Sequence, residues 1–325
     1  MQGTTNTSII EAILKMKDLK IIFMGTPDFA VASLKALAEA GCNIIAVITA
    51  PDKLAGRGMK LTESPVKKYA VENGLKILQP EKLKNPFFVE ELKALQADLQ
   101  VVVAFRMLPQ VVWQMPPLGT INVHGSLLPQ YRGAAPINWA VINGEKQTGV
   151  TTFKLQHAID TGNILMQESF PIGENETAGQ VHDRMKDIGA QLLVKTIEGL
   201  QNSLLHEKKQ DDSIHEIEPK HAPKIFTETC QIDWCKTVEE VHNLIRGLSP
   251  FPGAVADLNG KMLKIYKSEK ELATPANIPG EFVTDSKTFL KFACANGYIH
   301  IKELQLEGKK RIAIEDFLRG YRFEK

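Results

Sequence analysis

Up to about residue 203 the chain alternates short apolar runs with longer stretches of helical periodicity. The runs at 19–25, 43–49 and 99–104 are β-branched and apolar almost throughout, which is the pattern of strands buried on both faces, and a shorter one lies at 76–79. Helix-start signals stand between them. Thr26 and Pro27 open a helix that Gly41 closes, Ser64 and Pro65 open one that Gly74 closes, and Asn85 caps a third that runs from Pro86 to Leu95. Strands alternating with helices predict a parallel sheet with right-handed crossovers. The pattern continues with a strand at 120–124, a helix at 136–143 closed by Gly144, and strands at 149–155 and 164–171. Thr177 with Gln180 three residues on is a capping box, and the helix it opens runs to about Ser203.

The pattern changes beyond that helix. Residues 204–223 are charged, with little apolar periodicity, and read as a linker. Short β-like runs then follow at 253–258, 261–266, 280–283, 288–295 and 298–306, separated by glycine turns and flanked by helical pieces at 237–247 and 314–320. They predict a small antiparallel barrel, OB-like in plan. The expected fold class is therefore α/β: a Rossmann-like, mostly parallel sheet domain over 19–203, a linker over 204–223, and a small OB-like β-barrel domain over 224–325. Residues 1–18 are expected to be an extension outside the fold, with Met16 as an alternative start just ahead of the first strand.

Composition narrows this little. At 325 residues, 43% hydrophobic and 24% charged, the chain is an ordinary globular protein, and no apolar run is long enough to span a bilayer. The expectation is a cytoplasmic protein without a membrane partner. Its four cysteines are scattered, and Cys230 and Cys235 lack a second close pair, so reduced thiols are expected and no metal site. A net charge of +1 exerts no global pull on a polyanion, so such a partner would need local basic patches. The first turn, Gly25 to Phe29, lacks two of the three glycines of a dinucleotide-binding loop, which argues against NAD or FAD.

Candidate chemistry gathers at the strand 120–124. Residues two apart on a strand share a face, so Asn122 and His124 point one way while Ile121 and Val123 point into packing on the other. Asp160 falls in a turn between two later strands. An imidazole beside a carboxylate can carry a proton near neutral pH, and an asparagine NH2 can hold a carbonyl oxygen as it becomes an oxyanion. This is equipment for acyl transfer. No serine or cysteine stands in a nucleophile elbow, so the attacking group would come from the substrate, as an amine does. The alternative is a satisfied structural histidine and a turn-forming aspartate.

The run Asn122-Val123-His124-Gly125-Ser126-Leu127-Leu128-Pro129, followed by Tyr131-Arg132-Gly133-Ala134-Ala135-Pro136-Ile137 and by Ile159-Asp160-Thr161-Gly162, resembles the signature of the folate-dependent formyltransferases. The similarity extends through 23–30, the loop 51–60 with 64–67, and Ile232-Asp233-Trp234, so it covers nearly the whole chain from Leu19. It implies that Asn122, His124 and Asp160 are the catalytic set and that Ser126, Leu127, Leu128 and Pro129 lie against the folate. It further implies 10-formyltetrahydrofolate as formyl donor, methionyl initiator tRNA as acceptor in translation initiation, and a C-terminal barrel that helps hold the tRNA. No oligomer is implied. The chain departs from the family at Ala104-Phe105-Arg106-Met107, where many members have a glycine after the aromatic residue and one more residue before the proline.

For tRNA binding the candidates are Lys53, Arg57 and Lys60, in a loop that also carries Lys67 and Lys68, and Lys309, Lys310 and Arg311, which sit together after Gly308 and could reach several phosphates. Two other functions stay open. One is a related formyltransferase acting on a sugar-nucleotide amine or a glycinamide ribotide, which would need neither the loop around Arg57 nor the barrel. The other is a non-catalytic tRNA- or folate-binding module, against which the presence of all three polar residues speaks.

Overall fold

The computed structural model describes residues 19–55, 60–210 and 218–323. The expectations for residues 1–18 and for Arg57 lie outside them. In chain order the first elements are β1 (Ile21–Gly25), α1 (Asp28–Glu39), β2 (Ile44–Ile48), β3 (Lys53–Ala55), β4 (Lys60–Thr62), α2 (Pro65–Glu72), β5 (Ile77–Leu78) and α3 (Pro86–Ala94). Then come β6 (Leu99–Val103), α4 (Gln110–Trp113), β7 (Thr120–His124), β8 (Arg132–Gly133), α5 (Pro136–Ile142), β9 (Gln147–Lys154), β10 (Ile164–Pro171) and α6 (Ala178–Gln201). The remainder is β11 (His221–Ala222), α7 (Val238–Gly247), β12 (Ala254–Leu258), β13 (Lys261–Leu272), β14 (Phe282–Thr284), β15 (Leu290–Cys294), β16 (Gly297–Leu306), β17 (Ile312–Ala313) and α8 (Ile314–Gly320). The chain divides into two compact units, one of residues up to 132 with 149–169 and 183–220, the other of 133–148, 170–182 and 221 onward.

The first unit is built on a seven-stranded sheet of order β10-β9-β7-β6-β1-β2-β5. The pairs β1/β2, β1/β6, β2/β5 and β6/β7 are parallel, and β7/β9 is antiparallel. The Rossmann-like sheet is thus as expected, extended on one side by β9, which runs against β7, and by β10 beyond it. β1 and β6 are buried along their whole lengths, which is why they read as continuous apolar runs. Buried Gln100 in β6 is satisfied by the Thr120 hydroxyl of β7 at 3.0 Å. Helix starts follow their signals: Ser64 Oγ accepts from the Lys67 amide and Asn85 Oδ1 from that of Phe87. At α1 the N-cap is Pro27 and not Thr26, and Asp28 supplies a negative charge in the first turn. A Cβ on Gly25 would lie 2.6 Å from that of Ala30, so this glycine lets α1 pack onto the strand end.

The second unit holds an antiparallel sheet of order β12-β13-β16-β15-β14, with β17 added to β16, a half-barrel in agreement with the barrel reading. Val238, Val241, Ile245 and Leu248 repeat at helical spacing and bury one face of α7 against Leu263, Ile265, Ile299 and Ile301. Trp234 stacks on buried Phe292 with centroids 4.6 Å apart. β13 runs six residues past the expected end at Tyr266. Register shifts around Lys267 change which side chains face inward, so a simple alternation cannot be followed through it.

Candidate active site

β7 pairs with β6 on one side and β9 on the other, with Asn122 opposite Val102 and Phe153, and His124 opposite Thr151. Ile121 and Val123 are buried on one face, and Asn122, half-buried, shares the other with His124. His124 Nδ1 stands 3.8 Å from Asp160 Oδ2, with both side chains nearly enclosed. The structure therefore brings together the three residues named from sequence, all within the first unit.

Sequence reasoning missed what orients the imidazole. His124 Nε2 lies 2.9 Å from the Tyr131 carbonyl oxygen, and because a carbonyl only accepts, that nitrogen carries the proton. Nδ1 is then the nitrogen that faces Asp160, across a gap longer than a hydrogen bond. A ring protonated on both nitrogens would present an N–H there, with a carboxylate near enough to balance its charge. Phe153 meets the ring edge-on at 6.4 Å. No local signal reveals this, since the partner is a backbone oxygen.

The segment Ser126 to Pro129 is fixed by β9 and β10. The Thr151 hydroxyl donates to Ser126 O at 2.6 Å and accepts from the Leu128 amide at 3.1 Å. Gln167 Nε2 donates to Leu128 O and to Thr151 Oγ1, both at 2.9 Å. Ser126 spends its own hydroxyl on Gln130 O at 2.6 Å, and the Leu128 side chain packs with Phe153 and Ile164. What this segment can offer a ligand is mainly its backbone and the half-buried Leu127.

Asp160 sits in the turn between β9 and β10 with a left-handed φ of +53°, unusual outside glycine. A Cβ on Gly162 would fall 1.6 Å from Lys154 O, so the turn closes only with glycine there. At the neighbouring strand end, Ala104 has φ +46°, and the Arg106 guanidinium donates to Glu81 O at 2.7 Å and to Pro80 O. Where the sequence departs from the family, an arginine thus ties two loops together, and its burial lowers the pKa of the guanidinium.

The cation candidates fare unevenly. Lys53 and Lys60 flank residues 56–59 on paired strands β3 and β4, with Lys53 exposed. Lys67, counted with that loop from sequence, is instead bound to Asp52 at 2.5 Å and Glu63 at 2.9 Å. The hydrogen bond to Asp52 raises its pKa, and the same contact lowers that of Asp52. In the second unit Lys309 and Lys310 are exposed. Arg311 is not a free third cation: it makes a two-pronged pair with Glu303 at 2.6 and 2.8 Å and lies 4.2 Å over the Tyr266 ring. Among the described residues no group of three or more His, Cys, Asp or Glu could hold a metal ion, and no helix is long and apolar enough to cross a membrane.

Comparison with known proteins adds to this geometry. Residues 19–197 match the model of the formyl transferase family, and residues 224–322 that of the formyl transferase C-terminal domain. The methionyl-tRNA formyltransferase of Phocaeicola vulgatus is 54% identical over 316 residues, covering 95% of this chain and 98% of the relative. That of Bacteroides thetaiotaomicron is 50% identical over 314 residues, with 95% and 98% covered. Among solved structures, an N-formyltransferase from Helicobacter canadensis in complex with folinic acid and dTDP-3-aminofucose superposes with a TM-score of 0.67, covering 90% of this chain and all of that one at 23% identity. That likeness is one of fold.

Proposed function

The chain belongs to the formyl transferase family, and on that premise we propose that it transfers the formyl group of 10-formyltetrahydrofolate to the α-amino group of methionyl initiator tRNA, for translation initiation. The observation that carries the choice of acceptor is the identity of about half of all positions with methionyl-tRNA formyltransferases over 95% of the chain, through both the N- and C-terminal family regions. Sugar-directed formyltransferases among the similar solved structures are 19–24% identical, where the fold alone is shared.

Residues 19–203 are the catalytic domain, 204–223 the connection, and 224–325 the tRNA-binding domain. The donor supplies an activated formyl carbon on N10, and the methionyl amine attacks it. A free α-amino group has a pKa of about 7.7–8.0, so a usable neutral fraction exists without a strong base. The site therefore has to position more than to activate. Asn122 and the Nδ1–H of protonated His124 hold the formyl oxygen as it turns negative, while Tyr131 O fixes the ring through Nε2. Asp160 balances the imidazolium charge from 3.8 Å. As the C–N10 bond breaks, N10 takes the Nδ1 proton of His124, and Nδ1, freed of it, accepts the proton that the amine gives up, so the ring ends as it began. The Ser126 to Pro129 segment, braced by Thr151 and Gln167 independently of any ligand, is a firm wall for the folate. Lys53, Arg57 and Lys60 meet the acceptor end of the tRNA, and Lys309 and Lys310 its phosphates, in the cytoplasm where the charged tRNA is made.

The test is acceptor choice. Purified protein with 10-formyltetrahydrofolate is offered methionyl-tRNA, uncharged tRNA or a dTDP-amino sugar. Formylated methionyl-tRNA and tetrahydrofolate should appear in equal amounts with the first alone; formylation of the amino sugar in preference would overturn the assignment.

A further inference from the structure

The charged segment after α6 looked like a linker because it lacks apolar periodicity, yet its described part clasps the Asp160 turn with polar contacts. Lys208 pairs with Ile164 as an antiparallel bridge. Glu207 accepts from Asn163 Nδ2 at 2.9 Å and pairs with Lys154 Nζ at 2.6 Å, and the Asn163 hydrogen bond followed by the lysine pulls its carboxyl below its ordinary pKa. Gln210 then reaches the turn itself. Its Nε2 donates to the carbonyl oxygens of Asp160 at 2.9 Å and Gly162 at 2.7 Å, and its Oε1 accepts from Arg132 Nε at 3.0 Å and Nη2 at 2.8 Å.

We propose that Gln210 is a positioning residue for Asp160, holding the turn in the conformation that aims its carboxylate at His124. This rests on the catalytic assignment of Asp160 and His124 made above. A carboxamide has two N–H donors and an oxygen with two lone pairs, and all four positions are used here. The amide orientation is forced, because arginine only donates and the two carbonyls only accept. Asp160 holds a left-handed φ of +53°, which persists only where its surroundings over-determine it. Gln210 bridges the carbonyls on either side of Thr161, so the turn cannot relax toward ordinary φ without breaking one of them. Arg132, in turn, leaves Tyr131 by one peptide bond, and Tyr131 O orients the imidazole. One side chain thereby ties the segment that carries the histidine's anchor to the turn that carries its carboxylate. Glutamate would keep the pairing to Arg132 but set an oxygen against two carbonyl oxygens.

The experiment is a double-mutant cycle on kcat with 10-formyltetrahydrofolate and methionyl-tRNA, using wild type, Gln210→Ala, Asp160→Asn and the double variant. Gln210→Ala should lower kcat roughly ten- to a hundredfold, the scale of a misplaced catalytic group, and leave both KM values at wild type. In the Asp160→Asn background it should cost nothing more, since its effect runs through that carboxylate. Wild-type kcat in Gln210→Ala, or its full loss repeated on top of Asp160→Asn, overturns the positioning role and leaves the catalytic assignment standing. Wild-type kcat in Asp160→Asn removes that assignment and this role with it. If Gln210→Ala fails to fold, the same cycle is run with Gln210→Glu, for which the same losses are expected and the same outcomes overturn.

Discussion

His124 in the first unit and His242 in the second are both buried histidines, and their surroundings make them different groups. His124 has one nitrogen on a backbone carbonyl, the other facing a carboxylate at 3.8 Å, and a half-buried amide two residues away on its own strand face. His242 has Nδ1 on Ser268 Oγ at 2.9 Å, while its Nε2 has no hydrogen-bond partner among the described residues. Burial above all, then the charges of Lys270 and Arg246, push its pKa down to about 4, against a smaller opposing pull from Glu239 and Glu174. The carboxylate and the half-buried amide beside His124 suit the proton-carrying role proposed for it. The burial and the cations around His242 keep it neutral near pH 7.

The largest effect that would break this contrast lies in the first unit. Asn122→Ala and Asp160→Asn should each lower kcat by on the order of a hundredfold or more with the fold intact, as loss of one oxyanion donor or its supporting charge does. Circular dichroism on the same samples confirms the fold, and near-normal turnover in both would end the assignment. In the second unit the folded pKa of His242 lies below the ordinary 6.5, so its contribution to stability is complete above about pH 6.5 and is lost as pH falls toward about 4. Stability should decline there by up to about 1.4 kcal/mol per pH unit from this group alone. Denaturant titrations at pH 7 and pH 5 should show that decline in wild type and a smaller one in His242→Gln.

Thr237 caps the helix that carries His242, with Oγ1 accepting from the Glu240 amide at 3.3 Å and the Glu240 carboxylate returning to the Thr237 amide at 3.0 Å. Thr237→Ala should therefore cost about 1 kcal/mol in chemical denaturation and leave kcat unchanged. The smallest effect concerns surface cations. Lys309→Ala and Lys310→Ala should each reduce the salt slope of tRNA binding by about 0.7–0.9, the share of one neutralised phosphate. Arg311→Ala, whose guanidinium is already paired with Glu303, should leave that slope near wild type. A larger slope change for Arg311 than for the lysines would reverse the ranking.

The site was more legible than the surface for a physical reason. A strand's two-residue period fixes that Asn122 and His124 share a face whatever lies around them, and the strand 164–171 and helix 314–320 were read to their ends because apolar spacing and glycine stops were both present. What a cation does depends on partners far away in sequence, so Lys67 and Arg311 looked available and are held by Asp52 and Glu303. Gln210 was invisible for a related cause: it acts on backbone carbonyls fifty residues upstream, and its neighbourhood carries no hydrophobic period. The β3 and β4 strands were missed because three-residue strands are too short to show alternation.

The most direct measurement is single-turnover formylation of methionyl-tRNA by wild type and His124→Ala at saturating 10-formyltetrahydrofolate, which separates chemistry from product release. Wild type should convert bound methionyl-tRNA to its formyl derivative in one phase, and His124→Ala should do so at least about a hundredfold more slowly. Equal single-turnover rates in the two proteins would contradict the account.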